Sequence, residues 1–180
     1  MKNIPNILSV ARLLMSVAFA ALFISDRYML SLAVFMLAGA TDVVDGFLAR
    51  KYNWITNMGK ILDPVADKLM QFTALVCLSI RDYIPLWLLF MIFIKEALTG
   101  VGSIVFYKKF RQIGVSKYYG KAYTVLFYIA VAALIVFRAW FNANVWAENL
   151  LCVSLALVGF LAITMYYLSY LKGKLRKVKE

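Results

Sequence analysis

Two pairs of aspartates lie within strongly apolar stretches of the chain and are its clearest candidates for chemistry. Asp42 and Asp45 are three residues apart, and Asp63 and Asp67 are four residues apart. At either spacing, two side chains on a helix project from the same face. A carboxylate in an apolar layer is costly unless something pairs with it, so acids inside a membrane helix are candidates for function. The four residues, here called the aspartate cluster, predict a bound cation.

The donor atoms of the aspartate cluster point to a hard divalent cation. Four unpaired carboxylates close together could not all remain ionised, because they repel one another and lose hydration. The chain contains no histidine, and its two cysteines, Cys77 and Cys152, stand singly within apolar runs and are predicted to be packing residues. We therefore expect Mg²⁺ or Mn²⁺, with two ions sharing the four carboxylates. Such ions clamp a diphosphate and position an attacking oxygen.

The composition indicates an all-α, polytopic membrane protein. Of its 180 residues, 64 % are hydrophobic, and the mean hydropathy is +0.79, whereas soluble domains are roughly half apolar. Spanning helices need about 20 residues each, which leaves room for about six spans and no separate catalytic domain. We predict a single domain over residues 1–180 with six transmembrane helices. The apolar segments are 6–24, 28–50, 59–80, 84–107, 117–141 and 145–171.

The basic residues predict the orientation of these segments. The net charge of +11 lies in loops and tails beside the apolar segments, which favours contact with anionic lipid headgroups over nucleic acid. Lysine and arginine concentrate at both termini and in the loops after the second and fourth segments, so these regions are predicted to face the cytoplasm of a bacterial-type cell. The two aspartate pairs then lie at the cytoplasmic ends of the second and third segments and face each other across one hairpin.

The residues around the aspartates form a longer pattern, DxxDGxxAR, eight further residues, and then GxxxDxxxD. The fixed positions are Asp42, Asp45, Gly46, Ala49, Arg50, Gly59, Asp63 and Asp67. The pattern resembles, without a mismatch, the diagnostic motif of the CDP-alcohol phosphotransferase (CDP-alcohol phosphatidyltransferase) family of integral membrane enzymes. Members transfer a phosphatidyl or related group from a CDP-alcohol, usually CDP-diacylglycerol, to an acceptor hydroxyl and release CMP. The resemblance therefore implies a metal-dependent phosphatidyltransferase that forms a homodimer.

The resemblance also implies roles for individual residues. All four residues of the aspartate cluster would be metal ligands, and Asp67 would in addition be the catalytic general base. The residues that would bind the CDP moiety are Asp45, Gly46, Ala49, Arg50 and Gly59. Close helix packing remains the structural alternative for the small residues among them.

Three basic residues are candidates for binding the phosphate of the acceptor: Lys121, Lys95 and Arg12. Lys121 follows a glycine at the start of the fifth segment, as in phosphatidylglycerophosphate synthases, and residues 3–12 resemble the start of those enzymes. Lys95 lies beside Glu96 inside the fourth segment, where a structural ion pair between helices is the alternative. Ser103 stands where those synthases often carry an arginine. Arg12 either snorkels to the interface or reaches the nucleotide phosphates.

The predicted activity is therefore phosphatidyl transfer from CDP-diacylglycerol to glycerol 3-phosphate, a small polar acceptor. A cardiolipin synthase that uses phosphatidylglycerol as the acceptor is the alternative within the enzyme class. Outside that class, intramembrane acids also line the paths of cation transporters. Release of CMP distinguishes the enzymes from the transporter, and the acceptor distinguishes the two enzymes.

Overall fold

The computed structural model describes residues 4–52, 59–110 and 117–177, with side chains for residues 6–42, 44, 52, 62–100, 122–165 and 168. Within these ranges every regular element is a helix, in agreement with the predicted all-α class. The helices are α1 (Ile4–Ile24), α2 (Tyr28–Lys51), α3 (Gly59–Ile80), α4 (Leu86–Phe110), α5 (Lys117–Val136), α6 (Arg138–Ala143) and α7 (Val145–Lys177).

The helix bounds agree with the predicted segments to within a few residues except in the last two: the fifth is divided, and α7 continues to Lys177, past the predicted end at residue 171. Segment 117–141 was expected to be one uninterrupted helix, but α5 ends at Val136 and the short helix α6 follows after Phe137. That part of the prediction is wrong. Apolar residues lie on both sides of the break, with Arg138 among them, and hydropathy reports the environment of a side chain rather than the direction of the backbone. Asn144 ends α6, where its side-chain amide donates to the carbonyl of Trp140 at 2.9 Å.

Two described stretches are long and apolar enough to cross a membrane, by length and composition alone. They are Asn6–Ile24 in α1 and Val145–Met165 in α7. Two shorter apolar stretches, Tyr28–Asp42 and Ala122–Val136, lie in α2 and α5. The prediction of six spans with a cytoplasmic site therefore stays a prediction.

The chain forms two compact units. The first comprises Met1–Tyr83 and Val131–Phe137, and the second comprises Ile84–Ala130 and Arg138–Glu180. In the first unit α1 packs extensively against both α2 and α3, whereas few contacts between α2 and α3 are seen among the described residues. Helix α1 is therefore the central helix of this unit. The single domain over residues 1–180 stays a prediction.

The buried face of α1 follows directly from its sequence. Its members recur at spacings of three and four residues, which keeps them on one side of a helix. They are Ser9, Arg12, Ser16, Phe19 and Phe23, all buried. The aromatic half of this face packs against α2, where the ring centroids of Phe19 and Phe35 are 5.6 Å apart. The polar half extends toward the N-terminal end of α1.

The C-terminal ends of α1 and α3 are joined to each other, at the end of the unit away from the polar half of α1. Asp26 and Asp82 adopt left-handed backbone angles, with φ of 60° and 54°. They cap the C-terminal ends of α1 and α3, at the position that glycine most often occupies. Arg81 donates to Asp26 at 2.8 Å and to the carbonyl of Ile24 at 2.6 Å. Since these contacts tie two C-terminal ends together, the two helices run in parallel. Their N-terminal parts therefore meet at the other end of the unit.

In the second unit, Gly159 of α7 allows a close approach to the side chains of Tyr123 and Lys95. A Cβ at this glycine would lie 3.2 Å from Cε2 of the buried Tyr123 ring and 3.3 Å from Cδ of Lys95. We expect Gly159→Leu to destabilise the protein by about 1–3 kcal/mol, because the larger side chain overpacks this contact. A thermal melt of the purified protein measures the effect. Gly100→Leu in α4 is the matched control, because nothing lies within 4 Å of a Cβ there, and equal Tm values for the two variants would contradict the close packing.

Candidate active site

A buried arginine joins two of the predicted aspartates. Arg12 of α1 has no solvent exposure, and its Nη1 lies 3.0 Å from Oδ1 of Asp42 in α2. The same nitrogen donates a hydrogen bond to Oδ1 of Asp67 in α3. The two carboxylates therefore come from different helices and converge on one cation supplied by the central helix.

A second contact from α1 reaches Asp63, the third described member of the aspartate cluster. The hydroxyl of Ser9 donates a hydrogen bond to Oδ1 of Asp63. Ser9 and Arg12 are three residues apart on one face of α1, and Asp63 and Asp67 are four apart on one face of α3. Two successive turns of α1 thus bind two successive turns of α3. This register follows from the parallel course of the two helices.

The side chains of Asp42 and Asp67 remain partly exposed, although the arginine that joins them is buried. The side chain of Asp42 is 35 % exposed and that of Asp67 is 29 % exposed, whereas Arg12 below them is fully buried. Each carboxylate thus has one side held by protein and one side accessible to a ligand. This arrangement can bind a cation or a cation-linked anion from the open side.

The structure changes the interpretation of Arg12. Its side chain does not snorkel to an interface, so that alternative is wrong. It was named as a candidate for phosphate, and this role stays a prediction. Ser9 was not singled out from the sequence at all, although its position one turn before Arg12, on the buried face that continues to Phe19, was the available signal.

The oxygen donors of the described aspartates fit a hard divalent cation, and two of them already converge on one cationic nitrogen. Among the side chains that the structure describes, no three His, Cys, Asp or Glu residues form a group that could hold a metal ion by themselves. Asp45, the fourth predicted ligand, lies outside that set. Metal ligation by Asp42, Asp45, Asp63 and Asp67 therefore stays a prediction.

Several predicted substrate contacts also fall outside the described side chains, although the backbone at these positions is helical. Their roles stay predictions. They are Asp45, Gly46, Ala49, Arg50, Gly59 and Lys121.

Lys95, a further candidate for binding the acceptor phosphate, lies in the second unit. It forms an ion pair with Glu96, its neighbour in α4. Its Nζ also lies 3.4 Å from the centroid of the Tyr123 ring, a cation–π contact. This ion pair lies within α4, whereas the structural alternative considered from the sequence was an ion pair between helices. A role of Lys95 toward the acceptor stays a prediction.

Comparison with known proteins adds an independent finding. A sequence profile for CDP-alcohol phosphatidyltransferase matches residues 2–170. The chain is 32 % identical over 152 residues to a Bacillus subtilis CDP-diacylglycerol–glycerol-3-phosphate 3-phosphatidyltransferase, covering 76 % of this chain and 78 % of the relative. It is 46 % identical over 89 residues to the Pseudomonas fluorescens protein of the same name, covering 48 % of this chain and 45 % of that relative.

A second group of relatives carries a different name. Over 126 residues the chain is 35 % identical to human cardiolipin synthase (CMP-forming). This match covers 67 % of this chain and 41 % of the human protein. The chain spans less than half the length of this relative and of the other cardiolipin synthases with comparable matches. The matches therefore concern a shared segment rather than the whole of these proteins.

Proposed function

Because the chain belongs to the CDP-alcohol phosphatidyltransferase family, as its motif predicted, we propose that it transfers the phosphatidyl group of CDP-diacylglycerol to a hydroxyl of glycerol 3-phosphate. The products are phosphatidylglycerophosphate and CMP. The relatives from Bacillus and Pseudomonas, which are named for this reaction, support the choice of acceptor. The observation that carries the proposal is the convergence of Asp42 and Asp67 on one buried cation, with their outer sides open.

In the proposed reaction the acceptor hydroxyl oxygen attacks the phosphorus of the phosphatidyl group. The bond from this phosphorus to the bridging oxygen of CMP breaks, and its electron pair leaves with CMP. Asp67 takes the proton of the attacking hydroxyl as the general base. Its partial exposure gives it access to the acceptor, while the hydrogen bond from Arg12 holds the carboxylate from the buried side.

The reaction is proposed to depend on two ions of Mg²⁺ or Mn²⁺ held by the aspartate cluster. When bound, such ions neutralise charge on the diphosphate and on the departing CMP. The hydrogen bond from Ser9 orients Asp63 toward this shared centre. Residues proposed to bind the CDP moiety are Asp45, Gly46, Ala49, Arg50 and Gly59, and those proposed for the acceptor phosphate are Lys121, Lys95 and Arg12.

The proposal includes a position in the membrane. Six spans, with both termini and the aspartate cluster on the cytoplasmic side, give the water-soluble acceptor access to the site and follow the distribution of lysine and arginine. The two strongly apolar stretches in α1 and α7 support the membrane assignment. We further propose a homodimer, as the family resemblance implies.

A cardiolipin synthase is the second candidate function, favoured by the similarity to the human enzyme of that name. In this case the acceptor hydroxyl belongs to phosphatidylglycerol, a lipid, and CMP is again released. The aspartate cluster and the attack on the phosphatidyl phosphorus are the same in both reactions. The two candidates differ in the acceptor alone.

We expect CMP release from CDP-diacylglycerol to require glycerol 3-phosphate. The measurement is CMP release by the purified protein in detergent, with glycerol 3-phosphate, phosphatidylglycerol and inositol phosphate offered separately. Turnover with phosphatidylglycerol and none with glycerol 3-phosphate would establish the second candidate instead. Chelation by EDTA is the companion test and should lower turnover by on the order of 10³-fold, because metal catalysis contributes several kcal/mol. Full activity in EDTA would contradict the role of the ions.

A further inference from the structure

Arg12 places a permanent positive charge against two members of the aspartate cluster, Asp42 and Asp67. Its guanidinium is fully buried, lies 3.0 Å from Asp42 and donates to Asp67. A guanidinium keeps its proton under all ordinary conditions, so this charge is not lost on burial. Asp42 and Asp67 therefore have a counter-ion before any divalent ion arrives.

We infer that Arg12 weakens the binding of divalent ions to the substrate-free enzyme and so makes tight ion binding depend on the diphosphate of the substrate. The inference rests on the proposed metal site at the aspartate cluster. An ion that enters from the open side meets two carboxylates that are already paired. It must either displace the guanidinium from them or lie close to it.

Both routes cost free energy. Displacement breaks the contacts of Arg12 with Asp42 and Asp67 and takes these two carboxylates away from a buried cation. Coexistence brings like charges together where little water screens them, because Arg12 has no solvent exposure. The affinity of the free enzyme for the ion is therefore lower than the carboxylates alone would give.

Charge balance explains why the diphosphate reverses this effect. Two divalent ions together with the guanidinium carry one positive charge more than the four aspartates neutralise. A diphosphate bound to the ions supplies two negative charges, which offset this excess. Without Arg12, the ions and the aspartates balance one another and need no further anion. Arg12 thus couples the binding of ions to the binding of the nucleotide.

Binding of Mn²⁺ to the full-length protein in detergent tests this inference, with free Mn²⁺ measured by electron paramagnetic resonance. CDP serves as the soluble diphosphate. In the wild type we expect Mn²⁺ to bind at least about tenfold more tightly when CDP is present. In the absence of CDP, Arg12→Gln is expected to bind Mn²⁺ at least about tenfold more tightly than the wild type does. The increase in Mn²⁺ affinity that CDP causes is expected to be smaller in this variant. Arg12→Lys keeps the charge and is expected to behave as the wild type does.

Ser9→Ala is the matched control, because it removes a hydrogen bond to the same cluster without changing its charge. It is expected not to tighten Mn²⁺ binding. Equal or weaker Mn²⁺ binding by Arg12→Gln than by the wild type, or an unchanged gain from CDP, would overturn the role of Arg12 and leave the metal site intact. Failure of the wild type to bind Mn²⁺ even with CDP would overturn both the metal site and this inference.

Arg12→Gln also leaves two carboxylates without their buried partner and could unfold. In that event the thermal melt is repeated in Mn²⁺. The inference predicts that Mn²⁺ restores the fold and raises the Tm of this variant more than that of the wild type, because the ion replaces the lost counter-ion. A variant that stays unfolded at saturating Mn²⁺ would overturn it.

Discussion

Replacement of Asp67 by asparagine is expected to lower CMP release by on the order of 10³-fold or more, because it removes the proposed general base together with one charge of the ion site. Asparagine has nearly the same shape, and its Oδ1 can still accept the hydrogen bond that Arg12 donates. The packing of α1 against α3 is therefore retained, and binding of CDP-diacylglycerol stays measurable. Single-turnover CMP release and lipid binding on the same preparation measure both effects.

Two further variants separate this effect from a general loss of negative charge. Asp45→Asn is expected to weaken metal and nucleotide binding together, since its proposed role is ligation without proton transfer. Asp82→Asn makes the same chemical change at the end of α3, where the residue has a φ of 54° and asparagine is well tolerated. It is expected to leave turnover near that of the wild type. Equal turnover in the wild type, Asp67→Asn and Asp45→Asn would refute the assignment of the cluster.

Phe19→Ala is expected to cause the largest loss of stability outside the site, about 3 kcal/mol, the lower end of the range for Phe→Ala in a packed core. Phe19 is fully buried, and its ring lies 5.6 Å from those of Phe23 and Phe35, so the truncation leaves a cavity between α1 and α2. The lower end of this range applies because a side chain that leaves the packed core of a membrane protein enters apolar lipid rather than water. Thermal or denaturant unfolding of the purified protein measures the loss.

The matched control for this truncation is Phe90→Ala in α4. Phe90 is 59 % exposed, so its removal leaves no comparable cavity, and a change within about 0.5 kcal/mol is expected. An equal loss in the two variants would show that the aromatic contacts of α1 do not hold the first unit together. A reduced CMP release by Phe19→Ala at temperatures where it is fully folded would show that the aromatic half of α1 also positions Arg12.

Much of the site was readable in the sequence because helical periodicity is a local property. The three-residue spacing of Asp42 and Asp45 and the four-residue spacing of Asp63 and Asp67 predict two carboxylates on each helix face. The bounds of α1, α2 and α3 were predicted within a few residues, since Gly, Asn and charged residues interrupt the apolar runs there. The family profile confirms the resemblance that the motif indicated. The break after Val136 was missed because apolar residues continue on both sides of it, and the single charge there, Arg138, was read as lying within the same segment.

The pairing between helices could not be derived in this way, because no periodicity relates residues that are far apart in the chain. Arg12 and Asp67 are separated by 55 residues, and Ser9 and Asp63 by 54. The sequence determined which side chains each helix presents, and on which face. Only the packing of α1 between α2 and α3, with α1 and α3 in parallel, decided that a buried arginine is the cation shared by Asp42 and Asp67. The physical reason is that a buried charge must find a partner, and the fold determines which partner lies within reach.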